Sequence, residues 1–148
     1  MALYRRFITK PIGEILIEKG VITKEQLFKA LKLQKDDKKP VGQILIDSGF
    51  AKEEDIVQAL TMQYGLPYLP LKNYELNPEV IKIVPKTLAL KYSLIPIDRI
   101  GNTLTVSITD LLDQAVISEL EKLTNLKIQF FVSTASDIKE ACKRYYQD

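Results

Sequence analysis

The sequence predicts an α+β protein: an N-terminal helical tandem-repeat mini-bundle, followed by a small α/β sandwich with a three-stranded sheet. Three observations predict it. The 25-residue block 10–34 recurs as 39–63, ungapped at an offset of 29, with identities that include Lys10/Lys39, Pro11/Pro40, Gly13/Gly42, Ile15/Ile44, Leu16/Leu45, Gly20/Gly49, Leu31/Leu60 and Gln34/Gln63. Gly65, Pro67 and Pro70 then interrupt any helix. Beyond them, helix-period segments alternate with short runs rich in β-branched residues, the grammar of a sheet covered by helices. Residues 1–63 are thus read as the repeat subdomain, 64–73 as a linker and 74–148 as the α+β subdomain.

Each repeat reads as two short helices. Pro11 and Pro40 suit a first helical turn, where a missing N–H costs nothing. Ile12, Ile15 and Leu16, like Val41, Ile44 and Leu45, form an i, i+3, i+4 stripe. Gly20 and Gly49 stand where a left-handed residue ends a helix. A second helix over Lys24–Gln34 turns Leu27, Ala30, Leu31 and Gln34 to one face, with Thr23 and Gln26 placed as a capping box. Lys52, the counterpart of Thr23, cannot cap, and Glu53, Glu54 and Asp55 compensate only through the helix dipole. Lys35–Lys38 is a charged connector. The stripes of the two hairpins can bury one another, giving a four-helix mini-bundle.

In the second half, Asn77-Pro78 opens a short helix and Pro85 opens another that runs to Tyr92. Ser93–Asp98 and Leu104–Thr109 read as strands joined by a loop at Arg99–Thr103. A helix over Asp113–Thr124 carries Val116, Leu120 and Leu123 inward, Leu126–Val132 is the third strand, and Asp137–Tyr146 the last helix, with Ile138, Ala141, Cys142 and Tyr145 on its apolar side. The helices cover one face of the sheet.

Composition removes several functions. A 46% hydrophobic chain of 148 residues can bury a core, yet 21 basic against 19 acidic residues leave no nucleic-acid footprint. Without histidine there is no His-based metal site and no Ser-His or Cys-His catalytic pair. A single cysteine allows no intrachain disulfide. No apolar stretch approaches the ~20 residues that span a bilayer. The chain reads as cytoplasmic, without direct membrane insertion and without catalytic residues.

The candidates for chemistry are few. The glycines form neither a phosphate-binding P-loop nor a dinucleotide-binding loop, and the pairs Gly13/Gly20 and Gly42/Gly49 read as helix punctuation. Asp110 and Asp113 are a conceivable carboxylate pair, with cap and loop roles favoured. Cys142 reads as a buried small hydrophobe. Tyr145 and Tyr146 beside Arg144 could stack a base, but a helix docking by its aromatic edge is commoner. Core packing accounts for Ile15, Leu16, Leu31, Ile44, Leu45 and Leu60. It accounts less well for the repeated Lys-Pro and Gln, whose side chains should be exposed. A doubled surface of this kind suits a twofold-related ligand or a helical partner.

The doubled motif, with the Gly65-Leu66-Pro67-Tyr68 segment after it, resembles the N-terminal domain of type II secretion and type IV pilus assembly ATPases. The resemblance continues through Asn77-Pro78, Val84-Pro85, Tyr92-Ser93-Leu94-Ile95-Pro96, Gly101-Asn102-Thr103-Leu104-Thr105-Val106 and Arg144-Tyr145-Tyr146, with Asp110-Leu111 standing where an Asp-Pro step is common. It implies a non-catalytic regulatory module, cytoplasmic and peripheral to the inner membrane. Its partners would be the ATPase motor domain and the cytoplasmic segment of an inner-membrane secretion or pilus assembly protein. Any ATPase activity would lie in another part of a longer protein, and no cofactor is implied. The alternative it implies is a cyclic di-GMP sensor, in which the ligand would meet Lys10, Pro11, Ile12, Gly13, Leu27, Leu31 and Gln34 of one repeat. The matching set in the other repeat is Lys39, Pro40, Val41, Gly42, Ile56, Leu60 and Gln63. Binders of that kind carry an arginine where this chain has Pro11 and Pro40; Lys10 and Lys39 supply charge but no planar face for stacking on guanine.

Overall fold

The computed structural model describes residues 10–109 and 112–146, and the chain divides into two compact units with the break between Gly65 and Leu66. Asp110 and Leu111 lie outside the described residues.

The first unit holds α1 (Ile12–Glu18), α2 (Lys24–Asp36), α3 (Val41–Asp47) and α4 (Glu53–Tyr64). The two repeats adopt matching conformations. Pro11 and Pro40 have φ/ψ of −60/149° and −57/146°, so each is the N-cap and not, as the sequence suggests, a residue of the first turn. Their carbonyls open the helices, accepting from Glu14 and Ile15 in one and from Gln43 and Ile44 in the other. Both short helices end in the same left-handed cap. Gly20 (φ 76°) donates to the Ile17 carbonyl and Val21 to that of Leu16, while Gly49 (φ 78°) donates to Ile46 and Phe50 to Leu45. Thr23 and Gln26 form the expected reciprocal box at 3.1 and 2.9 Å. At the other start only half a box exists: the Asp55 carboxylate accepts from the Lys52 N–H at 3.0 Å.

Helices pack across repeats: α1 lies chiefly on α4, and α2 on α3. Leu16, Ala30, Leu45, Ala59 and Leu60 are at most 2% exposed and form the shared core. A seven-residue helix has no stability by itself, so this exchange of faces holds α1 and α3 in place.

The second unit holds α5 (Pro78–Ile81), α6 (Lys86–Tyr92), β1 (Leu94–Ile100), β2 (Thr103–Ile108), α7 (Gln114–Thr124), β3 (Lys127–Val132) and α8 (Ala135–Tyr145). The sheet order is β1-β2-β3, with β1 antiparallel and β3 parallel to β2, the latter pair joined through α7. Pro96 is tolerated because β1 is an edge strand, and the register slips beside it between Pro96 and Asp98. The loop expected over Arg99–Thr103 is shorter. Ile100 pairs with Thr103, leaving the two-residue turn Gly101-Asn102 with Gly101 at φ 58°.

One sheet face is apolar, bearing Leu104, Val106, Ile108, Ile128, Phe130 and Val132, all buried. Ser93 is not strand but the left-handed cap of α6 (φ 51°), as Asn125 is of α7 (φ 58°). Leu123, expected inward, is 52% exposed, because Ile117 and Leu120 take the buried side of α7.

Part of the stretch expected as a linker is held on the sheet. The Leu69 N–H donates to the Val132 carbonyl and the Val132 N–H to that of Pro67, each at 2.8 Å. Ser133 Oγ donates to the Leu69 carbonyl at 2.7 Å, which leaves Ser107 Oγ as the donor in its close pair with Ser133.

Candidate functional site

The candidate residues come from the start of the first helix and from one face of the second helix in each repeat. Gly13 and Gly42 are buried inside helices, so they are not punctuation as Gly20 and Gly49 are. They are points of close approach: a Cβ on Gly13 would lie 2.8 Å from both methyls of Leu27, and one on Gly42 would lie 3.0 Å from Ile56 Cγ2. The same glycine–aliphatic contact thus recurs in both halves, and it brings Gly13 to Leu27 and Gly42 to Ile56.

The repeated lysines have a structural partner that sequence inspection missed. Lys10 Nζ donates to Glu18 Oε1 at 2.7 Å and Oε2 at 2.9 Å, spanning the whole of α1. Lys39 Nζ likewise reaches Asp47 Oδ2 at 3.4 Å across α3, with Asp37 at 3.7 Å. Hydrogen bonds to Glu18 and Asp47, and then the nearby carboxylate charge, raise both ammonium pKa values. The signal was present in the alignment: Glu18 and Asp47 are matched acids at the same offset.

Burial separates the halves. Leu31 is 45% exposed, against its expected place in the core, whereas Leu60 is 2% exposed. Gln34 is half-buried and donates through Nε2 to the Lys39 carbonyl at 3.2 Å, linking the first repeat to the start of the second. Gln63, expected at the surface, is buried, and its Oε1 has no hydrogen-bond partner among the described residues. Pro11 and Pro40 are exposed, and Ile12 and Val41 half-buried. The two halves therefore share a backbone but offer different surfaces, open around Leu31 and closed around Leu60 and Gln63.

Elsewhere the chemistry is structural. Cys142 is buried with Sγ 3.7 Å from the Leu94 carbonyl, and burial raises its thiol pKa. Tyr146 is buried, its hydroxyl directed at the carbonyls of Val84 (2.7 Å) and Ile81 (3.1 Å); Tyr145 Oη accepts from the Leu76 N–H at 3.1 Å. Both hydroxyls therefore dock α8, and the ring of Tyr146 is buried away from any base. Asp113 is the N-cap of α7 without a side-chain cap bond, and no group of metal-ligating side chains occurs among the described residues.

Comparisons place this arrangement among known proteins. The chain is 33% identical over 137 residues, 93% of its length, to the type IV pilus assembly ATPase PilB of Myxococcus xanthus. It is 27% identical over 141 residues, 94% of its length, to PilB of Thermus thermophilus. It spans only 24% and 16% of those relatives. Among solved structures, MshE with cdg matches at a TM-score of 0.78 and 26% identity, over 93% of this chain and 100% of that one. The N-terminal domain of XpsE matches in fold, at a TM-score of 0.75 and 20% identity, over 92% and 94%. The family model of the MshEN domain matches residues 64–148, more than half of the sequence, and this chain belongs to the MshEN domain family.

Proposed function

We propose that the chain is a non-catalytic interaction and regulatory module of a type II secretion or type IV pilus assembly ATPase. It docks the motor domain to the cytoplasmic segment of an inner-membrane platform protein and so sits at the cytoplasmic side of that membrane. The observation that carries this reading is the alignment of nearly the whole chain with about a quarter of a pilus assembly ATPase. No helix among the described residues is long and apolar enough to cross a membrane, so attachment through a partner is the consistent arrangement. Co-purification of the chain with the platform segment tests it: a stable complex is expected, and its absence overturns the reading.

A second reading, a cyclic di-GMP sensor, is favoured by the likeness to MshE with cdg. Against it stand the two N-cap prolines, the lysines held by Glu18 and Asp47, and the burial of Leu60 and Gln63. Calorimetry decides. Micromolar or tighter binding of cyclic di-GMP, weakened by Gln34→Ala, establishes a sensor. Flat heats that become measurable binding in a Pro11→Arg/Pro40→Arg variant assign the loss to the missing planar cations.

A further inference from the structure

The two repeats diverge most on the outer side of their second helices. In α2, Phe28 is 60% and Leu31 45% exposed, while their counterparts in α4, Val57 and Leu60, are 5% and 2% exposed. At 100° per residue, Lys24, Phe28, Leu31 and Lys35 fall within one 60° sector, with Lys32 beside Phe28. Lys32 Nζ lies 4.6 Å from the Phe28 ring centroid. The counterparts of the three lysines are Glu53, Thr61 and Tyr64, so the basic character belongs to the first repeat alone. Lys24 also breaks a local rule: it is the first residue of α2, where the helix dipole disfavours a cation. None of the three lysines forms a salt bridge among the described residues.

We propose that this stripe of α2 is the docking face for an acidic amphipathic helix, carried by the platform segment. The inference rests on the docking reading above. Two apolar anchors one turn apart, with cations on both sides, match helix-in-groove recognition by an oppositely charged partner. A second copy of this chain would bring lysines against lysines. An anionic bilayer would extend past the stripe to Glu25 and Asp36, which lie within about 40° of Lys32 around the helix.

The test uses the whole chain with two probes, the platform protein's cytoplasmic segment and a synthetic Leu/Glu amphipathic helix of net negative charge. Both are expected to bind. Phe28→Ala/Leu31→Ala should weaken each by about tenfold or more with unchanged circular dichroism, since both side chains are exposed. Lys24→Ala/Lys32→Ala/Lys35→Ala should slow association and remove most of its salt dependence. Platform binding unaffected by Phe28→Ala/Leu31→Ala overturns the inference and leaves the docking reading standing. Failure of the platform segment, with the acidic helix still bound through Phe28 and Leu31, overturns the docking reading and the platform as the carrier, and retains the acidic helix as the occupant. No binding of the acidic helix overturns the inference outright. So does capture by anionic vesicles in its place, or self-association abolished by the same double substitution.

Discussion

Tyr146 shows how much a single side chain can hold. Its hydroxyl faces two carbonyls, of Ile81 and Val84, and thereby ties α8 to the turn that follows α5. Tyr146→Phe is expected to cost about 1–3 kcal/mol in urea unfolding, because the Val84 carbonyl loses the hydroxyl 2.7 Å away while that of Ile81 keeps the Val84 N–H. Burial, and secondly the Cys142 thiol, hold the phenol pKa above its ordinary 10.0. The unfolded chain therefore ionises this group first, so its contribution is intact below pH 10 and declines as pH rises beyond it. The alkaline slope of stability should be shallower in Tyr146→Phe; an equal slope would remove Tyr146 as its source. At this scale the sequence was partly legible. The spacing of Gly20 and Gly49 signalled their left-handed caps, whereas Gly13 and Gly42 signalled nothing local, since their role depends on Leu27 and Ile56 arriving from another helix. Gln63 misled for the same reason: an amide in a polar-looking position is buried by tertiary packing that periodicity does not encode.

Among the elements, the paired helix starts provide an internal control. Thr23 closes a full capping box on α2, and Lys52 leaves α4 with the Asp55 half alone. Thr23→Ala should destabilise by about 1 kcal/mol, and Lys52→Thr should stabilise by about 0.5–1 kcal/mol by completing the second box. Thermal melts of the two variants check this, and a Lys52→Thr melt at or below wild type would count against it. Helix existence was readable throughout because proline, glycine and Asn77 mark the ends. Strand detail was less so. Arg99 and Ile100 were expected in the loop, yet the ladder continues through them on an edge strand, where one side of the backbone needs no partner. The parallel pairing of β2 and β3 left no local trace, since direction is set by the path of α7 and not by residue type.

For the molecule as a whole, the stretch 64–73 divides into parts with different fates. Tyr64 ends α4, Gly65 caps it at φ 66°, residues 67–69 are bonded to β3, and Lys72, Asn73 and Tyr74 are exposed. Limited proteolysis with an enzyme of broad specificity should therefore cut at 72–75 before 66–69, since backbone held in a ladder must open before it is cleaved. Ser133→Ala, which removes the hydroxyl that grips the Leu69 carbonyl, should raise cleavage at 66–69 by severalfold. Equal protection in that variant would show that the backbone bonds to Val132 suffice. Prolines 67 and 70 announced a break in helix, but the docking of this segment on β3 pairs residues more than 60 positions apart and had no signature in sequence.

The exchange of faces between repeats bears on ancestry. Because α1 leans on α4 and α2 on α3, a polypeptide holding one hairpin would leave its stripes uncovered unless it met an identical chain. Two such one-hairpin chains could bury their stripes only as a symmetric homodimer, and joining two copies in one chain makes that symmetry dispensable. One copy of the second helix can then keep its lysine-edged exterior while the matching positions of the other, Val57 and Leu60, are buried.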